Sequence, residues 1–275
     1  MDPKTEIDPL PAATATLVRD AQHGFEVLMV QRNLQSGFVP GNYVFPGGAL
    51  DAEDDTPAMR ALCAGITDEQ ASNTLGMAQG GLAYWVAAVR ESFEEAGLLI
   101  ACKADGRIVA LDEPGIVERF RQHRHALNHG ERRLHEILRS ENLTLAADQL
   151  VYFSRWITPV SAPRRYDTRF FAAAAPPAQA PLHDNRETIG HLWLHPGAAL
   201  DRYRKDDLKM RLPTVRTLEE FAAYDTVDAL LKALRGRSDI PAILPRISKA
   251  GAGVLPDEPG YAEMEERESQ GRWKI

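Results

Sequence analysis

The chain has 275 residues, 44% of them hydrophobic, and a net charge of −7. That length supports a sizeable core in one large domain or two small ones, and the acidic balance argues against a general nucleic-acid binder, which needs a basic face. Two cysteines, Cys63 and Cys102, follow no metal or redox spacing and fit a reducing compartment.

Met1–Leu10 is acidic and proline-bearing, without the apolar core of a signal peptide. Ala12–Arg19 and Glu26–Arg32 are apolar runs around the polar Asp20–Gly24, a strand–turn–strand pattern. Tyr43–Phe45 reads as a short strand before the Pro46-Gly47-Gly48 turn. Asp51–Thr67 is acidic and irregular, and Asp68–Leu75 and Leu82–Ala96 read as helices separated by Gly76, Gly80 and Gly81. Ile116–Ser140 has helical spacing with a break near Asn128-His129-Gly130. Val151–Thr158, Thr168–Ala174 and Thr188–Leu194 are strand candidates, Gly197–Tyr203 a helix, and Leu218–Arg235 one further helix. The tail from Gly236 is expected to wrap the surface or fray. Phe170–Leu182 is apolar but cut by Pro176, Pro177 and Pro181, so no membrane span is expected. Arg272-Trp273-Lys274-Ile275 is no peroxisomal or retention address, which leaves a cytoplasmic location as the expectation. Strands and helices mix without regular alternation, which gives an α+β class or a layered α/β/α sandwich.

The chemistry concentrates in Ala83–Leu99. On a helix, Val86, Val89, Phe93 and Ala96 share an apolar face, while Glu91, Glu94 and Glu95 fall at i, i+3 and i+4 on the other side. Like charges so spaced oppose a helix by roughly 0.2–0.5 kcal/mol per pair, and Arg90 offsets only part of that. Three glutamates in five residues are most often a solvated face. Here they lie downstream of Phe45-Pro46-Gly47-Gly48, whose glycines let the backbone approach a ligand closely. A compensating hard cation, Mg²⁺ or Mn²⁺, suits carboxylate oxygens. Gly97 suits the left-handed residue that closes a helix.

Arg90-Glu91-Ser92-Phe93-Glu94-Glu95-Ala96-Gly97-Leu98 resembles the second half of the Nudix box, G-x5-E-x7-R-E-U-x-E-E-x-G-U, with Gly48 similar to its opening glycine. Ser92 stands where an apolar residue is usual, and Asp54 where the family has Glu. Between Asp54 and Arg90 lie 90 − 54 − 1 = 35 residues in place of seven, an excess of 28. Such an interrupted box is similar to that of the nineteen-type peroxisomal coenzyme A diphosphatases. So are Val27–Arg32 and the segments Ser154–Pro159 and Arg164–Phe171.

The resemblance implies a Nudix-type α/β/α sandwich with a mixed sheet over residues 10–235. It also implies a helical insertion at 55–82 outside the core, an extra C-terminal helix and a C-terminal extension at 236–275. It implies a hydrolase of a nucleoside-diphosphate-linked small molecule. Metal ligands would be Glu91, Glu94, Glu95 and the Gly47 carbonyl, with Arg90 orienting the glutamates and Glu187 the candidate general base. Arg32, Arg164 and Arg165 are the candidate phosphate-binding cations. Gly37 occupies the place of the second arginine in the coenzyme A signature, so coenzyme A, acyl-CoA, ADP-ribose, a nucleotide sugar and a dinucleotide all stay open as substrates. A Nudix-type ligand sensor is disfavoured by the intact glutamates, and an RNA-end hydrolase by the acidic charge. The expected partner is a small-molecule diphosphate, with no nucleic acid and no membrane; a homodimer stays open.

Overall fold

A computed structural model describes residues 7–35, 40–183, 186–248 and 253–264. The Gly37 position, and Asp184 and Asn185 of the loop before Thr188, lie outside the described residues.

In chain order the strands are β1 (Leu10–Asp20), β2 (Phe25–Arg32), β3 (Tyr43–Val44), β4 (Gly47–Ala49) and β5 (Cys63–Ala64). They continue with β6 (Ala101–Cys102), β7 (Thr144–Ala146), β8 (Val151–Ile157), β9 (Tyr166–Ala174), β10 (Thr188–Leu194) and β11 (Ala242–Ile243). The helices are α1 (Pro57–Arg60), α2 (Asp68–Leu75), α3 (Leu82–Ala96), α4 (Pro114–Asn128), α5 (Leu134–Ser140), α6 (Pro196–Arg204), α7 (Leu212–Phe221) and α8 (Val227–Arg235).

The main sheet runs β10-β2-β1-β9-β8-β11, with β3 on β2 and β4 on β1. The β1–β9 and β11–β8 pairs are parallel and the others antiparallel, so the sheet is mixed. Central β1 is buried continuously from Ala12 to Val18, as a strand covered on both faces must be. Its two faces serve different cores. Ala13, Ala15 and Leu17 join α3, whereas Val18 joins Phe25, Met29 and the apolar residues of α6, α7 and α8. The expected α/β/α sandwich is thus realised, with α3 on one face and α6–α8 on the other.

Two expectations are corrected. Residues 218–235 form no single helix: α7 ends at Phe221, and Thr226 starts α8 by accepting a hydrogen bond from the Ala229 N–H through Oγ1 at 3.1 Å. A Thr cap competes with helix continuation by satisfying N–H groups that a continuous helix would bond internally. The 55–82 insertion does not lie outside the core, because Met59 and Ala71 are fully buried in the cluster that contains α3. It is helical, as expected, and its β5 joins β7 and β6 in a separate small sheet. The tail, expected to wrap the surface or fray, adds the half-exposed edge strand β11, which pairs with Arg155 and Trp156 of β8.

Among the described residues, no helix is long and apolar enough to cross a membrane.

Candidate active site

Helix α3 is buried along nearly its whole length, Glu94 alone being partly exposed. It ends at Gly97, φ +71°, whose N–H bonds the Phe93 carbonyl at 3.0 Å. Ser92, the polar residue at an apolar box position, is fully buried and donates from Oγ to the Leu98 carbonyl at 3.0 Å. Its hydroxyl therefore closes the same turn.

Arg90 organises the polar face. Its Nε and Nη2 donate to the two carboxylate oxygens of Asp54, each at 2.8 Å, and Nη2 also reaches the Ala49 carbonyl at 2.9 Å. Nη1 bridges Glu91 Oε1 at 2.7 Å and Glu94 Oε2 at 3.0 Å. Asp54, 2% exposed, is held inward by a capping turn in which it accepts from the Asp51 N–H at 2.8 Å. Burial alone would lower the Arg90 pKa, but the Asp54 hydrogen bonds and the nearby glutamates raise it. Arg90 is a fixed cation.

Gly47 donates its N–H to Glu95 Oε2 at 3.1 Å, and Gly48 lies so close to Glu91 that a Cβ there would stand 2.5 Å from Oε1. Both glycines therefore meet the α3 carboxylates across the insertion. Burial raises the pKa of Glu91 despite Arg90. It raises Glu95 strongly, with Glu91 adding to the effect. Glu94 is pushed up to about 7, again by burial first. Glu95 Oε1 is buried without a hydrogen-bond partner, the Arg32 Nη1 standing 3.8 Å away. Carboxylates held dry and short of positive charge fit a divalent cation, which would satisfy the orphaned oxygen. Among the described residues no three acidic, His or Cys side chains form a ready-made cage; Arg90 Nη1 spans the gap between Glu91 and Glu94.

These groups open on a cleft of about 830 Å³ lined by Gly47, Glu91, Glu94, Glu95, Glu187, Arg32 and Arg164. Of the sequence-expected residues, only Arg165 is absent from it. It is 4% exposed and donates to the Thr158 and Ile7 carbonyls at 3.0 and 2.8 Å. This corrects its expected role: its guanidinium pins the loop to the chain before β1. Trp156 and Phe170 are buried and also line the cleft.

Several contributors escaped the sequence reading. Arg124 of α4 donates twice to the Glu94 carbonyl, at 2.9 and 2.7 Å, and once to the Leu182 carbonyl at 2.6 Å. Thr188 donates to the Glu95 carbonyl at 3.0 Å. Cations and donors at a helix C-terminus satisfy carbonyls left over by the helix. Arg211 and Thr214 line the cleft from the α7 side. Local spacing carried no signal for any of them, because each acts across the tertiary fold.

The NUDT19 Nudix domain profile matches residues 66–220, which is 155 of 275 residues. The chain belongs to the NUDT19-type Nudix family. The matched region includes Arg90–Leu98 but begins after Gly48 and Asp54, so the first half of the box rests on the geometry above. Among curated relatives, the chain is 27% identical over 249 residues to human acyl-coenzyme A diphosphatase NUDT19, covering 78% of this chain and 65% of that protein. The chicken (Gallus gallus) protein of the same name is 29% identical over 247 residues, covering 76% and 64%. The match therefore spans slightly under two thirds of these relatives. A solved Nudix hydrolase from Alicyclobacillus acidocaldarius superposes with a TM-score of 0.68 at 28% identity, covering 82% of this chain and 97% of that one.

Proposed function

We propose that the chain is a metal-dependent diphosphatase that hydrolyses the diphosphate linkage of coenzyme A or an acyl-CoA to 3′,5′-ADP and a phosphopantetheine product. One observation carries the reading: buried Glu91 and Glu95 and partly exposed Glu94, each with a raised pKa, line a large cleft against Gly47 and Gly48. The names of the human and chicken relatives supply the substrate class.

In this reading Glu91, Glu94, Glu95 and the Gly47 carbonyl hold Mg²⁺ or Mn²⁺. When bound, the ion neutralises phosphate oxygens and lowers the pKa of a coordinated water. Arg90, locked by Asp54, fixes the Glu91 and Glu94 carboxylates and touches no substrate. Arg32 lines the cleft beside the glutamates and grips diphosphate oxygens through forked hydrogen bonds, while Arg164 is a further cation on the same cleft. Glu187, on the same cleft, accepts the proton of the attacking water as the oxygen bonds to phosphorus and the bridging P–O bond breaks. The catalytic unit is assigned to residues 10–235, with 55–82 as its insertion. Two free cysteines and a charge of −7 support a reducing, cytoplasmic location and no nucleic-acid partner. Light scattering distinguishes a monomer from a homodimer.

The test is hydrolysis of coenzyme A with Mg²⁺ or Mn²⁺, with products identified by mass. Glu95→Gln keeps shape and removes charge, and turnover is expected to fall by about two orders of magnitude with the fold intact. Activity within about threefold of the parent protein would overturn the assignment.

A further inference from the structure

The cleft has two unlike ends. Glu91, Glu94 and Glu95 reach it from α3, on one face of the sheet. The opposing wall comes from α7, on the other face, whose first turn and preceding Arg211 line the cleft. Thr214 in that turn is 4% exposed, lines the cleft, and has no hydrogen-bond partner for its hydroxyl among the described residues. No side chain caps the ten-residue α7; Pro213 has no N–H and the Val215 N–H bonds the Arg211 carbonyl at 3.0 Å, so the Leu212 and Thr214 N–H groups are those left to an anion. Arg164, from the loop between β8 and β9, is exposed, lines the same cleft and forms no ion pair among the described residues. Burial pushes the Arg211 pKa down, and a partly dehydrated guanidinium gains more from an anionic ligand than a solvated one.

We propose that Arg211, Thr214, Arg164 and the first turn of α7 form a second anion subsite, which takes a phosphate monoester carried by the substrate away from its scissile diphosphate. The subsite makes a 3′-phosphorylated nucleotide a better ligand than the same nucleotide without that phosphate. Two features favour a phosphate over a carboxylate. The donors come from separate elements that line one cleft, and a monoester offers three acceptor oxygens to them. The carboxylates lining the cleft come from α3, from Asp51 and from Glu187, so repulsion at that end and attraction at this one fix the ligand's direction.

The inference rests on the diphosphatase reading for its natural substrate but is tested without turnover. Calorimetry on the full chain compares 3′,5′-ADP with 5′-AMP. The parent protein is expected to bind 3′,5′-ADP at least about tenfold tighter. Arg211→Gln and Thr214→Val should bring the ratio toward one while leaving 5′-AMP affinity within about twofold. Arg164→Gln is at an exposed position, folds without repacking, and keeps the test open should Arg211→Gln misfold. A parent ratio near one, or a ratio unchanged in all three variants, overturns the subsite. Turnover of coenzyme A and 3′-dephospho-coenzyme A separates the two readings. A protein that shows the binding ratio but cleaves neither compound refutes the diphosphatase and keeps the subsite. Cleavage of both with equal kcat/KM refutes the subsite and keeps the diphosphatase.

Discussion

Asp54 and Arg90 stand 36 positions apart in the sequence and meet in a two-pronged ion pair, each prong 2.8 Å long. The pair shows how an interrupted box can remain one site. The insertion departs after Asp54 and returns at α3, and Arg90 reads the closure by bonding Asp54, Ala49, Glu91 and Glu94 together. Closing a longer loop costs little per added residue, and the insertion recovers part of that cost by burying Met59 and Ala71.

Asp54→Asn removes the charge and leaves Arg90 buried with a weaker partner. Breaking a buried pair by altering one member costs about 3 kcal/mol, and Arg90 would swing toward the glutamates. Urea denaturation is expected to show that loss together with a drop in turnover. A stability change below about 1 kcal/mol would show that the pair does not hold the two halves of the box.

The adjacent glycines should respond differently to alanine. At Gly48 the three atoms nearest the new Cβ all belong to the Glu91 carboxylate, the first 2.5 Å away, and a side-chain end can move. Gly48→Ala should therefore keep stability within about 1 kcal/mol while cutting activity by displacing Glu91. At Gly47 the Cβ meets the Ala13 carbonyl at 2.6 Å and Thr14 Cα at 2.8 Å, which are sheet backbone. Gly47→Ala should destabilise by about 1–3 kcal/mol. Equal effects of the two on melting temperature would refute the distinction.

Much of this was legible beforehand. The bounds of α2, α3 and β10 agree with their expected residues, because strong periodicity and glycine or threonine punctuation mark them. The three glutamates and Gly47 could be grouped from the box resemblance. What failed was decided by tertiary position. Arg164 and Arg165 are neighbours of identical chemistry in a loop without periodicity, and only the fold sends one to the cleft and the other to the Thr158 and Ile7 carbonyls. Strands β5, β6 and β7, of two or three residues each, are too short to carry an alternation signal.

The raised pKa of Glu94 makes the metal-free protein pH-sensitive. Burial lifts it from 4.5 to about 7, so its protonated form is favoured by folding. The stability from that group is complete below about pH 4.5 and is lost as pH rises through about 7, a change of about 3 kcal/mol. Without added metal the melting temperature should fall by several degrees between pH 5 and 8. Mg²⁺ or Mn²⁺ should raise it more at pH 8 than at pH 5, because the ion requires the ionised carboxylate. Glu94→Gln should flatten both trends, and a parent protein with no such pH dependence would contradict the burial argument.

Arg124 offers the sharpest test of how the site is held from behind. It is 6% exposed and donates to main-chain carbonyls at both ends of its reach. It ties the Glu94 carbonyl at the end of α3 to the Leu182 carbonyl, which begins the loop leading to Glu187. The candidate metal ligands and the candidate base thus share one tether. Arg124→Met keeps most of the buried volume and removes the donors, leaving the Glu94 carbonyl with only the 3.3 Å bond from Asn128 Nδ2 and untying the exposed Leu182, at a cost of about 1–3 kcal/mol in all. If the tether only stabilises, kcat at a temperature well below melting should equal that of the parent. If it positions Glu187 relative to α3, kcat should fall by about tenfold or more with KM little changed, since an angstrom of misplacement carries a penalty of that order or greater. Arg124→Lys should restore part of kcat by reaching one of the two carbonyls. We expect the kcat loss and the partial rescue; a stable Arg124→Met protein with parental kcat would limit Arg124 to a structural role.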